Sequence, residues 1–229
     1  MTPLPIRIGM ACAVLALLAA AAEGEAPLQL GQHSVPAAAP DGAAPLRLGR
    51  DSVLVWKTRT PAQETTFVAR IARFAPDRFL EWEDGNSQGT VFMPEKEVLA
   101  AKGYESSSLF RAGMDRRASQ ATTLWLSRKI FRELKERRAA RCVLDGVSTR
   151  FRLVGEGGME VEVNGTPVRM RVVKVEDGRG GERWFLDDED NPLLVRHAIR
   201  SYEQKLVGVT TDRPNTLRWI KGKKLSEGP

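Results

Sequence analysis

The residues of this sequence that could do chemistry are few, and the first of them form the acidic run Asp187-Asp-Glu-Asp-Asn191. Carboxylate and amide oxygens in a row could offer ligands to Ca²⁺. The run lacks the spaced carboxylates, the central glycine and the terminal glutamate of a calcium-binding loop. Pro192 follows it and predicted strands flank it, so the pattern favours a plain turn. The sequence therefore predicts no metal site and no cofactor.

His197 is the only histidine of the predicted domain. It shares one face of a predicted strand with Leu193, Val195 and Ile199, where a histidine is usually a core residue with satisfied hydrogen bonds. α/β-Hydrolases position their nucleophile on a Gly-x-Ser-x-Gly turn between a strand and a helix. The one match in this sequence, Gly85-Asn-Ser-Gln-Gly89, lies in a predicted hairpin between two strands and lacks that context. Cys142, the only cysteine after the leader, is predicted to be a buried thiol. No catalytic residue is predicted.

Three tryptophans in predicted strands are candidates for lining an apolar ligand site: Trp56, Trp82 and Trp184. Curved sheets enclose apolar hollows, and aromatic side chains commonly line them. The alternative is that these side chains simply fill the core.

A basic amphipathic helix is predicted from Leu124 to Ala139, because Leu126, Ile130 and Leu134 recur at positions i, i+4 and i+8. Its other faces carry cations that could bind an anionic surface. These surface-binding candidates are Arg128, Lys129, Arg132 and Lys135. The alternative is that the apolar stripe packs on a sheet and the charges lie in water.

The clearest predicted element is a hairpin around Asn164-Gly165, the strongest short turn signal. A two-residue loop there places apolar residues on one face and an opposite-charge pair on the other. The predicted pairs are Val163–Thr166, Val161–Val168 and Glu160–Arg169.

Other strands follow one another at short intervals, and a short helix is predicted between Pro94 and Gly103. The strands are predicted at Val53–Thr58, Phe67–Ala72, Arg78–Glu83, Thr90–Met93, Val147–Leu153, Met159–Val163, Val168–Val172, Arg183–Leu186, Leu193–Arg200, Glu203–Thr211 and Thr216–Ile220. Closely spaced strands indicate an antiparallel meander. We therefore expect an α+β fold, with a large curved antiparallel sheet or partial β-barrel covered by about two helices.

The first residues have the features of an export signal. Arg7 is the only charged residue between Met1 and Ala22, and an apolar run from Met10 ends in small residues at Ala20 and Ala22. The run is shorter than the roughly 20 apolar residues of a membrane-spanning helix. We expect cleavage near Ala22 and a periplasmic or secreted protein.

Residues 23–50 are rich in Ala, Pro and Gly and are predicted to form a flexible linker before a single β-rich domain over residues 51–225. The tract contains a direct repeat, because Ala26-Pro-Leu-Gln-Leu-Gly-Gln-His-Ser-Val35 recurs as Ala44-Pro-Leu-Arg-Leu-Gly-Arg-Asp-Ser-Val53. We expect the second copy to run into the first strand. Docking of a partner by each copy is the alternative interpretation.

The formal net charge of the 229-residue chain is +6. A basic exported protein meets anionic lipid headgroups and envelope polymers, which makes peripheral membrane contact a candidate interaction and nucleic acid a poor one. Positive charge that serves solubility alone is the other interpretation.

Three segments also support a resemblance to known proteins: Val161-x-Val-Asn-Gly165, Trp184-Phe-Leu-Asp-Asp188 and Asn191-Pro-Leu-Leu-Val195. With them, the stretch from Val53 to Thr211 resembles uncharacterised exported bacterial domain families that are similar to the periplasmic lipoprotein-carrier fold. The resemblance implies a concave sheet able to hold an acyl chain or a peptide segment. The matching motifs are turns and strands, so no site residue is transferred.

The leading hypothesis is an exported, non-catalytic protein that binds a hydrophobic or amphipathic envelope ligand, such as a lipid, a lipoprotein or a peptide segment. The second is an interaction or structural protein that docks partners through its basic surface and linker repeat. The third is a hydrolase with an unrecognised site.

Overall fold

The computed structural model describes residues 45–113 and 115–211. The predicted leader, most of the predicted linker and the predicted strand Thr216–Ile220 lie outside these residues. The elements are β1 (Val53–Arg59), β2 (Glu64–Arg73), β3 (Arg78–Glu83), β4 (Gln88–Met93), α1 (Glu95–Ala100), β5 (Gly103–Tyr104), β6 (Asp115–Arg117), β7 (Ala121–Thr122), α2 (Arg128–Arg137), β8 (Ala139–Leu144), β9 (Val147–Val163), β10 (Thr166–Glu176), β11 (Glu182–Leu186), β12 (Leu194–Ile199) and β13 (Tyr202–Thr210).

The strands form one large curved sheet, in the order β6-β4-β3-β2-β1-β13-β12-β11-β10-β9-β8-β5-β7. The predicted α+β fold with a large curved sheet and two helices is confirmed. The sheet is mixed, because the pairs β4–β6, β5–β7, β5–β8 and β9–β13 are parallel. The β9–β13 contact bends strands β9 to β13 into a partial ring.

The hairpin of β9 and β10 has the predicted register, with all three predicted pairs in place. Asn164 and Gly165 both have positive φ, 51° and 83°, as the tight two-residue turn requires.

At the other end of this strand pair, Val154 forms a bulge in β9. Gly155 pairs with Lys174 and Leu153 pairs with Val175, the next residue of β10, so Val154 between them has no partner on β10. Lys174 and Val175 are neighbours on β10 and point to opposite faces, so the odd-numbered residues of β9 change face at the bulge.

Helix α2 is shorter at its start than the predicted 124–139 span. Ser127 is the N-cap and accepts a hydrogen bond from the backbone N–H of Ile130. The residues before it follow an extended path, because Leu124 has a φ of 56° and Trp125 forms a bridge with Leu193. Sequence periodicity alone could not separate these buried apolar residues from the helix that follows them.

Two apolar clusters hold the fold together, and the bulge in β9 explains how one strand contributes to both. The main core includes Leu54, Ile71, Leu80, Val161 and Leu206. The helix-side core contains Ile130, Phe131 and Leu134 of α2, packed on residues of β8 to β12 that include Phe151 and Phe185. The apolar stripe of α2 therefore packs on the sheet. Among the described residues, no helix has the length and apolar character needed to span a bilayer.

Part of the second repeat copy lies against the main core. Leu46 and Leu48 are half-buried there, while Arg47 between them is exposed. The carbonyl of Leu46 accepts a 3.2 Å hydrogen bond from Nδ2 of Asn191. The alternation of leucines in this copy thus serves to attach the segment before β1 to the fold.

Candidate functional site

The candidate site is a cluster of four aromatic rings in the main core, called here the aromatic cluster. Trp56, Phe67 and Trp82 come from β1, β2 and β3, and Phe110 comes from the loop that follows β5. Ring centroids lie 5.7 Å apart for Trp56–Phe67, 6.0 Å for Phe67–Trp82, 4.9 Å for Phe67–Phe110 and 5.5 Å for Trp82–Phe110. Phe67 is therefore the centre of the cluster.

Residues 105–113 form a loop over this cluster, called here the cover loop. Leu109 is buried and Phe110 is half-buried, so both apolar side chains of the loop point inward. The backbone of the loop is attached to the sheet at its ends, where Ser106 donates to Oδ1 of Asp145 at 2.7 Å and Gly113 donates to the carbonyl of Gln88 at 2.9 Å. Between these points the cover loop is irregular in structure.

The two tryptophans of the cluster differ in their hydrogen bonding. The indole N–H of Trp56 donates a 3.0 Å hydrogen bond to the carbonyl of Leu194. The indole N–H of Trp82 is buried and has no acceptor among the described residues. A buried donor without an acceptor costs about 1–3 kcal/mol, which makes this N–H the unusual feature of the cluster.

The structure brings Trp56 and Trp82 together through Phe67, whereas Trp184 packs half-buried against the same main core but outside the aromatic cluster. Trp184 lies beside Arg196, whose guanidinium carbon is 5.5 Å from its ring centroid, and its indole N–H donates to Glu182. Phe110 is not among the residues predicted from the sequence. The signal that could have found it is the apolar pair Leu109-Phe110 inside an otherwise polar loop.

The cations of α2 meet the acidic run that was considered for Ca²⁺. Arg128 pairs with Asp190 at 2.8 Å, Arg132 pairs with Glu189, and Lys135 pairs with Asp187 at 2.8 Å. Lys129 has no ion pair within the described residues. The acidic run and the cations of α2 each resembled a binding site in the sequence. In the structure most of their charges form ion pairs with one another.

A groove of about 440 Å³ lies along the outer side of α2 and reaches the exposed Leu99 of α1. Its charged lining residues are Arg128, Lys129, Arg132, Glu133 and Glu136. Three cations and two carboxylates line this groove, so its formal charge is only +1.

His197 lies beside a buried ion pair formed by Arg183 and Asp177, and it is itself buried. Burial and the neighbouring Arg183 charge lower the pKa of His197 to about 4. Its Nε2 has no hydrogen-bond partner in the described part of the chain. Arg183 also reaches Oγ of Ser106 at 3.4 Å. A histidine with such a low pKa accepts a proton only weakly and is therefore a poor general base near neutral pH.

Two further buried groups, Arg78 and Cys142, have shifted pKa values. Arg78 lies against the rings of Phe74 and Trp125, at 4.9 and 4.6 Å, and burial together with the charge of Arg128 lowers its pKa to about 9. Burial raises the pKa of the Cys142 thiol to about 12, so the thiolate is scarce at neutral pH. Within the described ranges, no three His, Cys, Asp or Glu side chains are grouped to hold a metal ion.

No protein-family model and no curated protein matches the chain. The geometry of the residues is therefore what bears on function.

Proposed function

We propose that this chain is an exported, non-catalytic protein that binds a hydrophobic or amphipathic ligand of the cell envelope, such as a lipid, a lipoprotein or a peptide segment. The observation that carries the proposal is the buried indole N–H of Trp82, which has no acceptor among the described residues and lies inside an aromatic cluster that a loop covers. Export itself rests on the leader pattern of residues 1–22.

The Trp82 N–H defines what the ligand must carry. A ligand with a carbonyl, ester or carboxylate oxygen would accept the hydrogen bond that the described residues leave unmade. An attached hydrocarbon portion would lie against Phe67, Trp82 and the other rings, since apolar surface prefers aromatic surroundings to water. An oxygen acceptor joined to a hydrocarbon chain is an amphipathic molecule.

The cover loop provides a route of entry. Phe110 touches Phe67 and Trp82 through ring contacts only, and the loop that carries it is attached at Ser106 and Gly113. In this proposal the ligand takes the place of the Phe110 ring while the sheet residues stay in position. The apolar contacts that Phe110 loses are replaced by those of the ligand.

The other two hypotheses have weaker support. Docking through the basic surface would use α2, where Arg128, Arg132 and Lys135 already have acidic partners. A hydrolase would need His197 as a base, and its lowered pKa opposes that role.

Titration of the full-length protein with a fluorescent fatty acid tests the proposal. We expect saturable binding by the wild type and a roughly 5- to 30-fold weaker Kd in Trp82→Phe, which keeps the ring and loses the N–H donor. Phe79→Leu is the matched control, because Phe79 pairs with Phe92 outside the aromatic cluster at 6.4 Å. Absence of saturable binding, or equal weakening in both variants, would contradict the proposal.

Mass spectrometry of protein purified mildly from its native envelope gives an independent answer. A co-purified lipid or peptide that is lost in Trp82→Phe identifies the ligand class. Recovery of the protein with neither would argue against this function.

A further inference from the structure

Several charged residues that face each other across this sheet are of opposite sign. Glu160 lies opposite Arg169, and Arg152 lies opposite Glu176, with which it forms a 3.1 Å ion pair. Further ion-paired neighbours are Arg59–Glu64, Arg70–Glu81, Lys174–Glu182 and Arg196–Glu203. Opposite-sign pairs of this kind stabilise a sheet.

Like charges also face each other elsewhere in the sheet, at Lys57–Lys205, Glu176–Glu182 and Arg196–Lys205. In each of these pairs at least one residue forms an ion pair.

The hairpin of β8 and β9 differs from these places. Arg141 and Arg150 lie directly opposite one another, both are exposed, and neither forms an ion pair with any residue that the structure describes. Like charges in directly opposite positions destabilise a sheet. The pair therefore lowers the stability of the folded protein, and no ion pair within residues 45–113 and 115–211 compensates for it.

Exposed apolar side chains lie on the same hairpin. Val143 pairs with Ser148 two positions along from the two arginines, on the same face of the hairpin, and is 39% exposed. Val154 at the bulge is 40% exposed, and Val147 at the hairpin tip is 51% exposed but pairs with Leu144 on the opposite face. Of the large hydrophobic residues that are exposed in the described chain, only Leu99 lies elsewhere.

Two more cations lie close to this hairpin. The carbonyl of Lys102 accepts the backbone N–H of Val143 at 2.9 Å, and Arg179 follows Gly178, whose N–H donates to Thr149. The acids nearby have roles in the fold, since Asp145 accepts the Ser106 N–H and Glu176 pairs with Arg152. The surface thus combines unpaired positive charge with exposed valines.

We infer that the surface formed by Arg141, Val143 and Arg150 is a docking surface for an anionic phospholipid bilayer. Arginines at such a bilayer exchange water for phosphate oxygens, and the adjacent Val143 enters the apolar boundary beneath the headgroups. The bilayer also supplies the negative charge that the Arg141–Arg150 pair lacks. This surface is distinct from the α2 cations and from the aromatic cluster, and it does not depend on the proposed ligand.

Vesicle co-sedimentation of the full-length protein tests this surface. The vesicles contain phosphatidylglycerol and phosphatidylcholine in equal parts, and vesicles of phosphatidylcholine alone serve for comparison. We expect Arg141→Gln/Arg150→Gln to weaken binding to the anionic vesicles roughly 30-fold, since each cation near such a surface contributes about fivefold. The control is Arg47→Gln/Arg50→Gln, which removes the same charge from two exposed arginines without ion pairs in the described chain.

A second variant reports insertion directly. Val143→Trp replaces an exposed side chain, and its emission is expected to shift to the blue with anionic vesicles but not with neutral ones. Equal losses in the two double-arginine variants, an unshifted Val143→Trp emission, or binding to a soluble polyanion without binding to vesicles would each overturn the inference.

Fatty-acid binding separates this inference from the proposed function. Arg141→Gln/Arg150→Gln is expected to bind the fluorescent fatty acid as the wild type does. Loss of vesicle binding with intact fatty-acid binding supports the docking surface. Loss of vesicle binding together with fatty-acid binding would overturn the inference, because the substitutions would then have disturbed the fold as a whole.

Discussion

The guanidinium of Arg183 forms an ion pair with the carboxylate of Asp177, and the two side chains are only 3% and 1% exposed. Asp177 also accepts the backbone N–H groups of Arg179 and Gly181, so its carboxylate closes the turn between β10 and β11. Burial alone would raise the pKa of Asp177, but hydrogen bonds from Gly181, Arg183 and Arg179 hold it below its usual value. The turn and the strand after it thus depend on one buried charge pair.

Replacing Asp177 by Asn is expected to reduce the free energy of unfolding by about 3–5 kcal/mol, because Arg183 is left buried without a counter-charge. Chemical denaturation measures the change. Glu176→Gln is the control, since its partner Arg152 is exposed and an exposed pair contributes less than about 1 kcal/mol. Similar losses of unfolding free energy in both variants would show that the buried Asp177–Arg183 pair stabilises the fold no more than the exposed Glu176–Arg152 pair does.

His197 is expected to make stability depend on pH. Its pKa is lowered from 6.5 to about 4 in the folded state, so between these values the unfolded chain binds more protons. The free energy of unfolding therefore rises with pH across this window, by about 1.4 kcal/mol per unit and about 3 kcal/mol in all.

His197→Gln should flatten that part of the profile, measured by denaturation at a series of pH values. Asp177 has a lowered pKa, so its contribution is lost at lower pH, as the pH falls through the range in which carboxylates titrate, and should persist in the variant. An unchanged slope between pH values of about 4 and 6.5 in His197→Gln would refute this assignment.

The ion pairs between α2 and the acidic run should contribute unequally to the free energy of unfolding, the less exposed pair more than the exposed one. Asp187 is 16% exposed and accepts a hydrogen bond from Lys135, whereas Glu189 and its partner Arg132 are 44% and 59% exposed. We expect Asp187→Asn to lower the free energy of unfolding by about 1–2 kcal/mol and Glu189→Gln by less than about 1 kcal/mol. Denaturation at low and high salt checks the order, and a larger loss in Glu189→Gln would contradict it.

Gly103 of β5 should not tolerate a larger residue. A Cβ there would lie 2.8 Å from the carbonyl oxygen of Gln120 and 3.0 Å from Cβ of Ala121. Since the nearer atom belongs to the backbone, Gly103→Ala is expected to cost about 1–3 kcal/mol. Gly157→Ala is the control, because nothing lies within 4 Å of the added Cβ. Equal melting temperatures for the two variants would show that β5 moves away at no cost.

The elements that could be predicted from the sequence depend on local rules. Alternation of apolar and polar residues indicates a strand wherever it occurs, and Asn164-Gly165 readily adopts the positive φ of a tight turn. These two properties predicted the β9–β10 register without knowledge of the rest of the chain. The apolar spacing in α2 likewise predicted which of its faces would be buried.

Other features depended on which surfaces meet in space. The residues of β9 before and after Val154 have the same odd-numbered alternation, yet they face different cores because the bulge changes the pairing with β10. Local alternation contains no signal for that change, which depends on the apolar surfaces available on both sides of the sheet.

The candidate site shows the same division. The sequence by itself determined that Trp56 and Trp82 lie in strands and that α2 is basic. Only the tertiary structure placed Phe110 over Trp82 and the acidic run beside Arg128 and Arg132. Strand alternation acts between near neighbours in the chain, whereas ring contacts and ion pairs between distant segments depend on how the whole sheet curves.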